Sequence, residues 1–246
     1  MKNNFLQKAI SSFLFFFLVC LLYIEISKSY PFNWTKVPFN YILLYLKGFY
    51  MTLIISCFSM FFAMIIGIIF GVIKTTKNII LKEISNIYTT IFRNIPLLVI
   101  ILIVYYGMGS IMDISAIIGS IISLSLFEGA YISEIIRGGI ESISKGQIEA
   151  AKTIGLNDFY LYTDILLPQA FRMTLPSLTG QFISLVKDSS LASVIALQEL
   201  TMVGRQIATS SFASFESYIT VAILYFSVNA FLQVLGKYFE RRYSII

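Results

Sequence analysis

Between Gly48 and Ile73 the chain reads GFYMTLIISCFSMFFAMIIGIIFGVI, 26 residues without one charged side chain. About 20 mostly apolar residues suffice for a helix to cross the hydrocarbon core of a bilayer, so this stretch alone predicts a membrane span. The whole composition agrees with it. Of 246 residues, 57% are hydrophobic and 13% charged, against about 25% charged in soluble domains. A water-soluble fold of this length would leave too much apolar surface facing solvent. The chain has no histidine, which removes the commonest general base and the commonest transition-metal ligand together. Cys20 and Cys57 both lie in apolar runs, with no spacing that suggests a disulfide framework or a metal cluster. The predicted fold class is an all-α integral membrane protein.

Five further stretches have the length and low charge of spans, which makes six transmembrane helices. Residues 9–24 qualify if Lys8 and Glu25 sit at the interfaces, and residues 217–236 carry no charge. Residues 78–109 contain Lys82 and Glu83 near one end and Arg93 further in. Residues 114–136 carry Glu128 and Glu134, and residues 173–198 carry Lys187 and Asp188. Six spans place both termini on one side. Twelve Lys and Arg residues fall in one set of loops and helix ends, Lys74, Lys77, Lys145 and Arg241 among them, and four in the other. The excess marks the cytoplasmic face, so both termini are expected there. The net charge of +5 is thereby accounted for, and no nucleic-acid partner is expected.

The first stretch also has features of a signal peptide, with Lys2 and Lys8 ahead of an apolar run. That run exceeds the usual ~7–15 residues, and Ile26-Ser-Lys-Ser-Tyr30 makes a poor cleavage site. Residues 1–40 are therefore expected to form an anchor helix and an external linker, with Trp34 as an interface aromatic flanked by Pro31 and Pro38. Residues 41–246 form the main domain.

One loop is long enough to carry a motif. Glu149-Ala150-Ala151 is followed by three residues, Gly155, nine more residues, and then Ile165-Leu-Leu-Pro168. Ile148, Ala151 and Gly155 share one helix face. Gly155 is suited to the left-handed conformation that ends a helix. Asn157 or Asp158 is then placed to cap a second helix, with Leu161 and Ile165 on its apolar side and Pro168 expected to stop it. Gly146 to Thr153 nearly spells a phosphate-binding loop, G-x-x-x-x-G-K-T, but Ala151 replaces its second glycine and no strand precedes it.

The spacing Glu-Ala-Ala-x3-Gly-x9-Ile-x-Leu-Pro resembles the cytoplasmic loop of permease subunits of ATP-binding-cassette (ABC) importers, type I transmembrane domain family. The stretches Gly129–Ile143, Leu167–Arg172 and Leu185–Leu191 are similar to the polar amino acid branch of that family, and the likeness extends from about Tyr41 to Arg242. The resemblance implies a five-helix core, with the first helix accessory, and a cytoplasmic coupling helix whose Glu149, Ala150, Ala151 and Gly155 face an ATPase subunit. It implies no cofactor in this chain. Two ATPase subunits, a second permease chain (identical or sister), an external solute-binding protein and a polar amino acid substrate are the implied partners, in a bacterial-type cell membrane. The chain departs from the pattern at Arg93-Asn94-Ile95-Pro96, where Arg-Gly-Thr-Pro is common, and at Gly180 and Ser189, where Asn and Thr are common.

A charge at the bilayer centre costs about 2.5–3.5 kcal/mol, so Arg93, Glu128, Lys187 and Asp188 each need a reason. A shared polar interior forming a substrate path is one: Arg93 would hold a carboxylate by a bidentate contact, and Asp188 or Glu128 an ammonium. Structural ion pairs locking the helices together are the alternative. Gly67 and Gly71 read as helix packing, and Asn229 and Gln233 as interhelical hydrogen bonding. An ion-coupled secondary transporter would use the four charges as a relay but leaves the Glu149 loop unexplained. An intramembrane enzyme, which would need a nucleophile–base or metal cluster, has the least support.

Overall fold

A computed structural model describes residues 23–243 together with residues 17 and 21. The first expected span lies outside these apart from four positions. Among the described residues every regular element is helical: α1 (Ile42–Thr75), α2 (Ile79–Asn94), α3 (Leu97–Gly109), α4 (Ala116–Glu141), α5 (Lys145–Thr153), α6 (Leu167–Asp188), α7 (Leu200–Ser211) and α8 (Ser214–Tyr243).

By length and apolarity three described segments are able to cross a membrane: Phe39–Thr75, Ala116–Glu141 and Ser214–Arg242. The pair α2 and α3 makes a fourth if counted as one span, but it is bent by 106°. The straight third span expected over residues 78–109 is therefore an elbow. Its cause is local. Ile95 precedes Pro96 and is pushed into an extended conformation, φ −98° and ψ 132°. Pro96 has no amide hydrogen to continue α2, and its carbonyl instead starts α3 by accepting from Val99 and Ile100.

The expected fifth span also differs. Helix α6 ends at Asp188, a tight helical turn runs from Ser189 to Ile195, and Ala196 takes a left-handed φ of 60°. With Gln169, Arg172, Gln181, Lys187 and Asp188 in its length, α6 does not pass as a span on composition alone.

Helix α4 is the spine, packed chiefly on α1. The contact is close because α1 presents glycine there: a Cβ on Gly67 would collide with Ile132, and one on Gly71 would lie 2.8 Å from the Ser133 carbonyl. This is the packing role expected of the pair. One apolar core runs along α4 through Ile132, Ile136 and Ile140, past Ile143 in the following turn, to Ala151 of α5, to Leu166 just before α6 and to Ala170 in its first turn.

Helix α7 lies outside the expected spans, and its signal is an amphipathic one. Leu200, Val203, Gly204, Ile207 and Ala208 are buried at i, i+3, i+4, i+7 and i+8. Glu199 caps it, accepting from the amides of Thr201 (2.8 Å) and Met202 (2.7 Å). Nearby, buried Glu216 accepts from Tyr30 Oη (2.7 Å) and from the Asn33 amide. These bonds tie the linker to the start of α8, where Phe32 meets Phe215 at 5.2 Å between ring centroids. Asn229 Oδ1 is buried without a hydrogen-bond partner among the described residues and Gln233 is exposed, so the bonding expected of that pair is not made among them.

Candidate functional site: coupling loop and intramembrane charges

The loop after α4 folds as its residues suggest. Ile148 and Ala151 turn one face of α5 into the core beside Ile143. The helix closes on Gly155, whose φ of +83° is open to glycine and strained for other residues. Gly155 N–H donates to the Lys152 carbonyl (3.0 Å) and Leu156 N–H to that of Ala151 (3.1 Å), the paired bonds of a Schellman end. Asn157 then caps the next turn by accepting from the Tyr160 amide at 3.1 Å.

Glu149, Ala150 and Gly155 are exposed, whereas Ala151 is buried in its own chain. The loop also exposes Ile154, Phe159 and Tyr160, with Ile154 at 76%. Pro168 does not stop the second helix as expected. The chain widens to a π-helical turn at Leu161–Leu166 and continues through Pro168 into α6. A proline ring collides with the carbonyl four residues back in a regular helix, and a wider turn just before it relieves that clash.

The four charges expected to share one polar interior do not pair with one another. Glu128 is fully buried; one carboxylate oxygen accepts from the Gln181 amide and the other has no hydrogen-bond partner among the described residues. Asp188 is half-buried and lies seven positions beyond Gln181, on the same face of α6. Lys187 is exposed. Arg93 is elsewhere: the elbow places it over the Tyr131 ring, 5.2 Å from its centroid, and 3.9 Å from Glu134.

Glu134, noted in its span but given no role from sequence, is the centre of the charge arrangement. Its carboxylate takes the ammonium of Lys74 from α1, the guanidinium of Arg137 at 2.9 Å from its own helix, and faces Arg93 from α2. Lys74 also donates to Thr89 of α2 at 2.6 Å. The group borders a polar cleft of about 440 Å³ between α1, α2 and α4. The spacing Glu134-x-x-Arg137 was a visible signal, since i,i+3 pairs meet on a helix. Its partners on other helices were not.

Residues 63–245 match the family of binding-protein-dependent transport system inner membrane components. This chain belongs to that family. Among curated relatives it is 34% identical over 221 residues to the probable amino-acid ABC transporter permease protein YckA of Bacillus subtilis (strain 168), covering 89% of this chain and 97% of the relative. It is 38% identical over 202 residues to the probable glutamine ABC transporter permease protein GlnP of the same organism, covering 79% and 91%. Among solved structures it is similar to a chain in the crystal structure of an amino acid ABC transporter with histidines, with TM-score 0.76 and 32% identity over 82% of this chain and 95% of that one. The chain is thus a transport permease, a multi-pass component of the bacterial inner membrane.

Proposed function

We propose that this permease passes polar amino acids through the membrane in an importer whose ATP hydrolysis resides in separate subunits. The observation that carries the reading is the Gly155-closed loop, which holds Glu149 and Ala150 outward among exposed Ile154, Phe159 and Tyr160. An apolar, rigidly closed helix end of this kind suits the groove of a partner protein rather than water. Two ATPase subunits would dock on two such loops on the cytoplasmic side, a second permease chain would complete the pathway, and an external solute-binding protein would deliver substrate. The names of the amino-acid and glutamine relatives support the substrate class.

In this reading the substrate path runs past Lys187, Asp188 and Glu128. Among the described residues the side chains of Lys187 and Asp188 make no hydrogen bond or salt bridge, so a cation and an anion are both available to a zwitterion. Glu128 stands behind them through Gln181. Arg93 serves at a different depth, with Glu134.

The test is reconstitution of the permease with its ATPase and binding protein in proteoliposomes. Uptake of a polar amino acid that requires internal ATP and survives a protonophore supports the reading. Uptake that collapses with the protonophore while ATP is held constant replaces it with an ion-coupled transporter.

A further inference from the structure

We propose that Glu134 is a positioning residue that passes movement of the α5 loop to the elbow at Ile95–Pro96. The inference rests on the proposed importer function and concerns how the loop reaches the membrane-spanning part.

Helix α4 has two working faces at its α5 end. The first is apolar: Ile136 and Ile140, with Ile143 just beyond the helix end, share a core with Ala151, so a shift of α5 bears on α4. The second is polar and carries Glu134, Arg137 and Glu141 at i, i+3 and i+7, linked by the Arg137 bonds to both acids. Glu134 is where this second face meets the other helices. Lys74 reaches it from the last turn of α1, and Arg93 from the last turn of α2, two residues before the elbow begins. Lys74 further bridges to Thr89. One carboxylate therefore ties α1, α2 and α4 together beside the 106° bend.

Arg93 is 42% exposed, Arg137 36% and Glu141 51%, and ion pairs this open to solvent contribute little to stability. Lys74 is buried and Glu134 is 21% exposed, so their bond anchors the group to α1 while the outer arginines supply a direction of contact. A network that spans a hinge biases the hinge position when one of its members moves.

The test uses the reconstituted complex, with Cys20 and Cys57 replaced by Ser and spin labels at Tyr106→Cys on α3 and Gly146→Cys on α5. Both sites are open, Tyr106 being exposed and Gly146 having no side-chain neighbour. The parent is expected to show an ATP-dependent change in the inter-label distance. Glu134→Gln should abolish that change and lower amino acid uptake per ATP hydrolysed by about fivefold or more, with ATP hydrolysis continuing. Glu134→Asp should restore part of both, which a purely structural role would not produce. Lys74→Gln, removing only the α1 arm, should lower the ratio by a smaller factor. An unchanged distance response and ratio in Glu134→Gln overturn the inference while leaving the importer reading intact. If Glu134→Gln does not assemble, an unchanged ratio in Lys74→Gln overturns it. A parent with no ATP-driven uptake overturns the importer reading itself, and the inference with it.

Discussion

The Gln181 amide of α6 donates to the buried Glu128 carboxylate of α4 across 53 positions of sequence, and the second oxygen of that carboxylate has no hydrogen-bond partner among the described residues. A buried acid in this state is held by a single donor, so the donor is the sensitive half of the pair. Gln181→Ala should cost about 1–3 kcal/mol and lower the unfolding temperature of the purified permease in detergent. Glu128→Gln keeps the shape and removes the charge, so its unfolding temperature should match or exceed the parent's. If both variants unfold at the parent temperature, the bond does not hold α4 to α6.

The α1–α4 contact makes a second prediction. A Cβ on Gly67 would overlap Ile132, while one on Gly107 in α3 would meet no atom within 4 Å. Overpacking a close contact costs about 1–3 kcal/mol, so Gly67→Ala should reduce thermal stability and Gly67→Leu should prevent a monodisperse peak in size-exclusion chromatography. Gly107→Ala should behave as the parent does in both measurements.

At Gly155 conformation and docking are separable. The left-handed φ of +83° costs other residues about 1–2 kcal/mol, and asparagine less than most. Gly155→Asn should therefore keep co-purification with the ATPase subunit near the parent level. Gly155→Trp adds strain and bulk at an exposed position, and should stay in the membrane fraction while losing the ATPase. Full ATPase recovery with Gly155→Trp would remove Gly155 from the docking surface.

Glu199 joins α7 to α8, accepting from the Thr201 and Met202 amides of α7 and from Tyr225 Oη of α8 at 3.0 Å. Losing an N-cap costs about 0.5–2 kcal/mol, and here a helix contact goes with it. Glu199→Ala should lower the unfolding temperature more than Tyr225→Phe, which leaves the cap intact. Equal losses from the two variants would show that the cap itself contributes nothing.

Much of the chain could be read in one dimension because its determinants are local. The uncharged run from Gly48 to Ile73 lies wholly within the helix Ile42–Thr75. Gly155 ends α5 and Asn157 caps the following turn. Such features depend on a residue and its neighbours within one or two turns. The pattern of α7 is equally local, but a short amphipathic helix with one buried face forms no long apolar run. The extended conformation that Pro96 imposes on Ile95 is local too, although no local rule states the 106° angle that follows.

The partners of the charges belong to another class of information. Placed along a straight third span, Arg93 belonged with Glu128 and Asp188 near mid-membrane. In the folded chain it faces Glu134, six residues beyond Glu128 and so about 9 Å further along α4. Lys74 meets Glu134 across 60 positions, and Tyr30 meets Glu216 across 186. Composition and spacing thus specified an all-helical membrane protein with a glycine-closed loop after α4, since burial and helix capping are settled residue by residue. Which charge faces which depended on where helices cross and how far one elbow bends, and those are properties of packing between segments distant in the chain.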